Sequence, residues 1–130
     1  MAKTFILLVS MFASSAFAAT VGDSYECRNQ EIGLVARHQI GGNVLHGFSD
    51  GQEFSMKCIP FSAGNFPQKR LDFFKDKGLK NIVDHCGMMG NYAYVGLISQ
   101  SGKQIALNVF VFNFEGDFIG EQSATCQKLK

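Results

Sequence analysis

The sequence lacks an excess of charge of either sign. It has 12 lysines and arginines against 11 aspartates and glutamates, for a formal net charge of +1. A balanced chain has no long-range electrostatic attraction for nucleic acid or for anionic lipid. The composition therefore contains no nucleic-acid-binding signature.

The sequence also lacks the short motifs of several enzyme and metal-site classes. It contains no C-x-x-C, which argues against a thioredoxin-type redox site and against a zinc knuckle. It contains no G-x-S-x-G, the turn that presents the nucleophile of many serine hydrolases. Its 14 glycines are scattered through turn-like segments and form no phosphate-binding loop. These absences favour a protein without a cofactor and, on balance, without catalysis.

No apolar run is long enough to cross a bilayer as a helix. The run near the N-terminus, Phe5 to Phe12, is well short of the roughly 18–20 residues that a membrane span needs. Lys3 precedes this run and the sequence AFA follows it at residues 16–18, as in a signal peptide with an A-x-A cleavage site. We predict that residues 1–18 are a signal peptide and that residues 19–130 form a single secreted or periplasmic domain.

Four cysteines follow the predicted cleavage site: Cys27, Cys58, Cys86 and Cys126. An even number of cysteines in an exported chain is typical of a disulfide framework, here of two bridges. We favour Cys27–Cys126, which would join the first strand to the last, together with Cys58–Cys86. The pairing of Cys27 with Cys58 and of Cys86 with Cys126 stays open as the alternative.

One segment, residues 105–114, predicts the centre of a β-sheet. Its residues are apolar on both alternating faces, so as a strand it needs cover on both sides. One face consists of Ile105, Leu107, Val109 and Val111, and the other of Ala106, Phe110, Phe112 and Phe114. Residues 32–40, 43–48 and 53–58 alternate between apolar and polar side chains, and glycine-containing turns separate them. This pattern predicts antiparallel strands joined by hairpins.

Residues 68–86 have a different pattern. Their apolar positions step by three or four residues, which predicts one helix, or two short ones broken at Gly78, with Gly87 as the C-terminal cap. We expect this helix to cover one face of the sheet. The predicted fold is therefore α+β and mainly β: an antiparallel sheet, sandwich or partly closed small barrel of about six or seven strands, with one helical insertion at residues 68–86 and two disulfides.

Three histidines, His38, His46 and His85, are the candidate catalytic residues. Small secreted nucleases use histidine for acid–base chemistry, so a hydrolase of this kind is the alternative function. His38 lies on the apolar face of a predicted strand, where a hydrogen-bonded core histidine is the simpler interpretation. A tight turn at residues 41–42 would pair His38 with Leu45 and separate it from His46.

A metal site is the next candidate. Residues 84–89, Asp-His-Cys-Gly-Met-Met, contain soft ligands of the kind that bind copper. Cys86 is needed for a disulfide, however, and paired methionines more often fill gaps in a core. We therefore predict no metal site.

Binding of a partner is the remaining function. The loop at residues 61–67 contains Phe61 and Phe66, which could anchor a partner, or could instead tuck under the loop into the core. The spacing of Tyr25 and Cys27, with the late Cys126, resembles small periplasmic lysozyme-inhibitor barrels in outline, although the chain has none of their inhibitory motifs. We expect an exported binding or inhibitor-type module that acts on an unknown protein or small ligand in the cell envelope or outside the cell.

Overall fold

The computed structural model describes residues 20–129, so the predicted signal peptide lies outside the described residues. Within this range the chain forms eight strands, one α-helix and two short 3-10 turns, at residues 30–32 and 63–65. The elements are β1 (Ser24–Asn29), β2 (Leu34–Gln39), β3 (Val44–Ser49), β4 (Gln52–Pro60), α1 (Gln68–Asp76), β5 (Ile82–Met89), β6 (Ala93–Ser101), β7 (Gln104–Phe112) and β8 (Phe118–Lys128).

The eight strands form a closed barrel. Each strand pairs antiparallel with the next, and β1 also pairs with β8. The mainly β prediction is confirmed, but the expectation of six or seven strands in an open sheet or sandwich was wrong. The difference has two sources: closure depends on a pairing between chain ends that local patterning does not reveal, and one strand was mistaken for helix.

That strand is β5, which corrects the predicted helical insertion at residues 68–86. The helix ends at Asp76, and Gly78 then adopts a left-handed backbone conformation with φ +82°, which ends a helix readily. From Ile82 the chain is extended. The register shifts between Ile82 and Asp84, so Ile82 lies on the outer face of β5 and Cys86 on the inner face. A strand with this irregularity lacks a strict period of two, and its apolar positions, four residues apart, were mistaken for those of a helix.

Both disulfides lie at the boundaries between two strand meanders. Tight turns join β1 to β4 in one meander and β5 to β8 in the other, while the long segment 61–81 connects them. Cys58–Cys86 bridges β4 and β5, and Cys27–Cys126 bridges β8 and β1. The structure thus contains the two pairs that the sequence favours. Two disulfides are consistent with an extracellular or otherwise oxidising compartment.

The barrel interior is narrow and packed with apolar side chains. Two inward-facing positions, one on β3 and one on β6, are glycines. A Cβ atom on Gly47 would lie 2.3 Å from the carbonyl oxygen of Val35, and one on Gly96 would lie 3.0 Å from the sulfur of Met56. The buried core residues are Cys27, Leu34, Ala36, Ile40, Leu45, Met56, Cys58, Cys86, Ile98, Ile105, Leu107, Val109, Ala124 and Cys126.

A second apolar cluster lies outside the barrel, beneath α1. The helix places Phe74 against the outer surface of β6 and β7, where Leu97, Phe110 and Phe112 are buried with it. Strand β7 is therefore covered from both sides, by the interior and by the helix, as its two apolar faces predict. Phe114 lies beyond the end of the strand and is 69% exposed. Over residues 20–129, no helix combines the length and the apolar character that spanning a bilayer requires.

Candidate functional site

The two ends of the barrel are built differently. At one end, which we term the mouth, lie the turns at residues 30–33, 50–51, 90–92 and 113–117. At the other, which we term the closed end, lie the N-terminal residues 20–23, the turns at 40–43 and 101–103, and the two ends of segment 61–81. The antiparallel order of the strands assigns each turn to its end, so this division follows from the topology.

Backbone and buried polar groups seal the closed end. The N–H of Ile40 donates to the carbonyl of Asp23 at 2.8 Å, and the N–H of Gly22 donates to the carbonyl of Ile40 at 2.9 Å, which ties the N-terminal residues to the β2–β3 turn. Inside this end, His38 and Asp84 form a buried pair. These contacts fill the interior at this end, and a separate depression of about 320 Å³ lies beside it, lined in part by Gly42, Asn43 and Leu129.

The mouth, in contrast, opens into a cavity of about 510 Å³. This volume falls within the range of small-molecule sites, about 300–1,000 Å³. Some inward-facing side chains of the lining are only partly buried, namely Phe54, Met88, Tyr94 and Val111, whereas Leu34, Met56 and Val109 are buried. The apolar residues of the lining are Leu34, Phe54, Met56, Met88, Tyr94, Val109 and Val111.

A few polar groups complete the lining near its rim: Ser49, Gln52, Glu53 and Gln122. The two amides can each donate and accept hydrogen bonds. Glu53 is the acidic member of this lining, and its carboxylate oxygen lies 2.9 Å from Nε2 of His46 on the outer surface. Since Nδ1 of His46 lies 3.0 Å from the Ser55 hydroxyl, a neutral ring can accept that O–H and donate Nε2–H to Glu53.

The three histidines occupy three separate environments. His38 is buried at the closed end, and His46 lies on the exposed outer face of β3. His38 pairs with Leu45 across the β2–β3 hairpin, as a tight turn predicts. His85 lies on the outer face of β5, with its ring 4.6 Å from that of Phe66. Among the described residues, the structure does not bring these three side chains into one cleft, so they form no shared acid–base site.

His85 has an unusual environment of its own. Its Nδ1 atom is buried and has no hydrogen-bond partner among the described residues. Burial disfavours the charged ring and lowers the pKa of His85 below its ordinary value. The surroundings therefore suit a neutral imidazole that packs as an aromatic side chain.

Phe61 and Phe66, the candidate binding residues, pack against the protein itself. Their rings stack with centroids 5.5 Å apart, and Phe66 also lies 5.3 Å from Phe74 in the cluster beneath α1. Both side chains are half-buried. The rings therefore lie under the loop, and little of the surface of either ring remains accessible to a partner.

One group of side chains lies close enough together to hold a metal ion. The nearest ligand atoms of His38, Cys58 and Cys86 all lie within 4.8 Å of one another. The two sulfurs are bonded to each other, however, and a disulfide sulfur lacks the thiolate charge that metal binding requires. In this oxidised form the group holds the closed end together.

The cavity was missed by the sequence analysis. Alternation in each strand predicts which side chains face inward, including those of Phe54, Tyr94 and Val111. It does not reveal that their end of the barrel stays open, because that depends on which turns and termini cross each end. In comparisons with known proteins, no protein-family model, no curated protein and no solved structure matches this chain.

Proposed function

We propose that this protein is an exported binding protein that takes up a small, mainly apolar ligand through the mouth of its barrel. One observation carries the proposal: an apolar cavity of about 510 Å³ opens at the mouth while the opposite end is sealed. Barrels of eight strands are just wide enough to hold side chains or one small ligand. Here side chains fill the closed end and leave room at the mouth.

The physical driving force is the exposure of apolar side chains in a concave site. Phe54, Met88 and Val111 face into the cavity and are only partly buried. A ligand that displaces water from these surfaces removes its own apolar area and theirs from solvent at once, which favours binding. The nearby Gln52 and Gln122 could hydrogen-bond a polar end of the ligand.

The composition of the lining favours binding over catalysis. Of the described residues that line the cavity, Glu53 is the carboxylate, and histidine, lysine and arginine do not contribute. General acid–base catalysis by paired groups needs a second titratable side chain within hydrogen-bond reach of the reacting atoms. The cavity offers shape and apolar surface instead.

Export is part of the same proposal. The predicted signal peptide at residues 1–18 supports it, and the two disulfides are consistent with an oxidising compartment. A ligand carrier outside the cytoplasm would meet apolar molecules that have little solubility of their own.

The test is saturable binding of neutral apolar probes. We expect N-phenyl-1-naphthylamine to bind the purified protein lacking residues 1–18, with one site per chain and a rise in fluorescence. Val111→Trp should abolish this binding, because the larger side chain fills the cavity. Val44→Trp is the matched control, since Val44 lies on the outside of the closed end and is 49% exposed.

Circular dichroism and thermal unfolding would establish that both variants are folded. Equal binding by the two variants would contradict the proposal. So would the absence of saturable binding for a panel of neutral probes that includes the naphthylamine, a neutral dye and a long-chain alcohol.

A further inference from the structure

We infer that the ligand of the mouth cavity is a cationic amphiphile, a molecule with an apolar body and a positively charged head group. This inference rests on the proposed function, because the cavity makes the site and the charges around it select the ligand.

These turns are acidic. The residues in or next to them include five exposed carboxylates, and the segments 30–33, 50–53, 90–92 and 113–117 contain no lysine or arginine. Half of the lysines and arginines in residues 20–129 lie in segment 61–81, and two of these, Arg70 and Lys77, reach the outer wall near the mouth. The five carboxylates are those of Glu31, Asp50, Glu53, Glu115 and Asp117.

Carboxylates on the barrel wall already engage several nearby cations. Glu26 contacts Arg28 at 2.6 Å and Arg37 at 2.9 Å, and the two guanidinium groups lower the pKa of this carboxyl below its ordinary value. On the neighbouring strand β8, Lys77 pairs with Glu121 at 2.8 Å. These pairs reduce the positive field that would otherwise offset the carboxylates around the mouth.

One further cation lies near the mouth. The guanidinium of Arg70 stacks over the ring of Phe112, 3.8 Å from its centroid. Phe112 faces outward beneath α1, so Arg70 lies on the outer wall and outside the cavity lining. The carboxylate of Glu53 likewise lies on the outer face, 2.9 Å from His46. The charges that a bound head group meets first are therefore the carboxylates of the surrounding turns.

This arrangement discriminates between head groups. Low-dielectric walls concentrate the field of the acidic residues at the opening, which attracts a cation and repels an anion. A carboxylate or phosphate head group would find no lysine or arginine in the lining to neutralise it. An ammonium group would lie among the carboxylates of these turns while its chain contacts the apolar side chains below.

The experiment compares three ligands that share one alkyl chain. Decylammonium, decanol and decanoate, each below its micelle-forming concentration at pH 7.5, would compete with bound N-phenyl-1-naphthylamine. We expect decylammonium to bind at least about tenfold more tightly than decanoate at low ionic strength, with decanol between them. The ratio should shrink in 0.5 M NaCl, because salt screens charges at the surface.

Charge-neutralising variants test the origin of the preference. E31Q/D50N and E115Q/D117N each remove two carboxylates from the mouth, and each should lower the ratio of decylammonium to decanoate affinity by about threefold. The backbone of the 113–117 turn keeps its bonds to the side chain of Asn113 in the second variant. The matched control is D72N/D76N, which removes two carboxylates from α1 and should leave the ratio near that of the unmodified protein.

The outcomes separate the two proposals. If the naphthylamine binds but decanoate binds as tightly as decylammonium, the charge inference is wrong and the binding function stands. The same conclusion follows if the mouth variants and the helix variant change the ratio equally. If no neutral probe binds, the binding function itself is wrong.

Discussion

Nε2 of His38 lies 2.5 Å from Oδ2 of Asp84 inside the closed end of the barrel, where their side chains are 0% and 1% exposed. Nδ1 of His38 must donate to the carbonyl of Val44 at 2.9 Å, because a carbonyl only accepts. A single proton therefore lies between Nε2 and Oδ2, and the pair as a whole carries no net charge. Asp84 also accepts from the N–H of Gly41 at 2.9 Å. Hydrogen bonding of this kind explains how two ionisable residues are tolerated in an apolar interior.

The first prediction concerns this pair. Asp84→Ala leaves Nε2 of His38 and the N–H of Gly41 without their acceptor in a buried site. We expect the free energy of unfolding, measured in urea, to fall by about 3–5 kcal/mol. Asp84→Asn is the control, because its amide keeps the size and part of the hydrogen bonding and should cost less. A loss of under about 1 kcal/mol for the alanine variant would show that the pair contributes little to the stability of the fold.

The second prediction concerns the disulfides at the two meander boundaries. Replacing both members of each pair by alanine should lower the free energy of unfolding by about 4–5 kcal/mol for Cys27–Cys126 and about 3–4 kcal/mol for Cys58–Cys86. The order follows from the sequence separations, 99 and 28 residues, because closing a longer loop removes more entropy from the unfolded chain. Peptide mapping without reduction checks the connectivity, and a reversed order of the two losses would contradict the argument.

The third prediction is a pH dependence from His85. Because burial lowers the pKa of His85 in the folded state, the unfolded chain binds a proton first as the pH falls below about 6.5. The free energy of unfolding is therefore highest above that pH, and it falls as the pH approaches the lower pKa of His85 in the folded protein.

The measurement for His85 is urea unfolding at pH 7.5, 6.5 and 5.5. Between pH 7.5 and pH 5.5, the free energy of unfolding of His85→Leu should fall less than that of the unmodified protein. That of His46→Gln, a change at an exposed histidine, should fall about as much as that of the unmodified protein. Parallel curves for His85→Leu and the unmodified protein would rule out a role for His85.

The fourth prediction tests the cluster beneath α1. Phe74 is buried against β7, so Phe74→Ala should cost about 3–5 kcal/mol through lost burial and the cavity left behind. Phe114→Ala is the matched control at a ring that is 69% exposed, and it should change the unfolding free energy by less than about 0.5 kcal/mol. Similar losses for the two variants would mean that the helix does not depend on Phe74 for its attachment.

Local patterning predicted much of the fold because strand alternation is a local property. The hairpin that pairs His38 with Leu45 could be derived from the Gly41-Gly42 turn and a period of two residues. That β7 is covered on both faces, by the barrel interior and by α1, could be predicted from its two apolar faces. The same reasoning failed at Ile82 and Cys86, since the register shift between Ile82 and Asp84 removes the strict alternation of β5.

The candidate site could be predicted only in part. Alternation was predicted for residues 53–58 and two faces for residues 105–114, but nothing in those segments indicates that one end of the barrel is open. The three histidines were identified as titratable candidates, yet their separation into an interior, an exposed and a loop-covered environment depends on which strands become neighbours.

Taken alone, the sequence determined the alternation of the strands, the need for cover on both sides of residues 105–114 and the number of disulfides, because each depends on short-range periodicity or on an even count. The tertiary structure decided which cysteines pair, that eight strands close into a barrel, that Asp84 reaches His38 and that the mouth stays open. These features require contacts between residues far apart in the chain, and side-chain patterning says which face is buried but not which distant strand buries it.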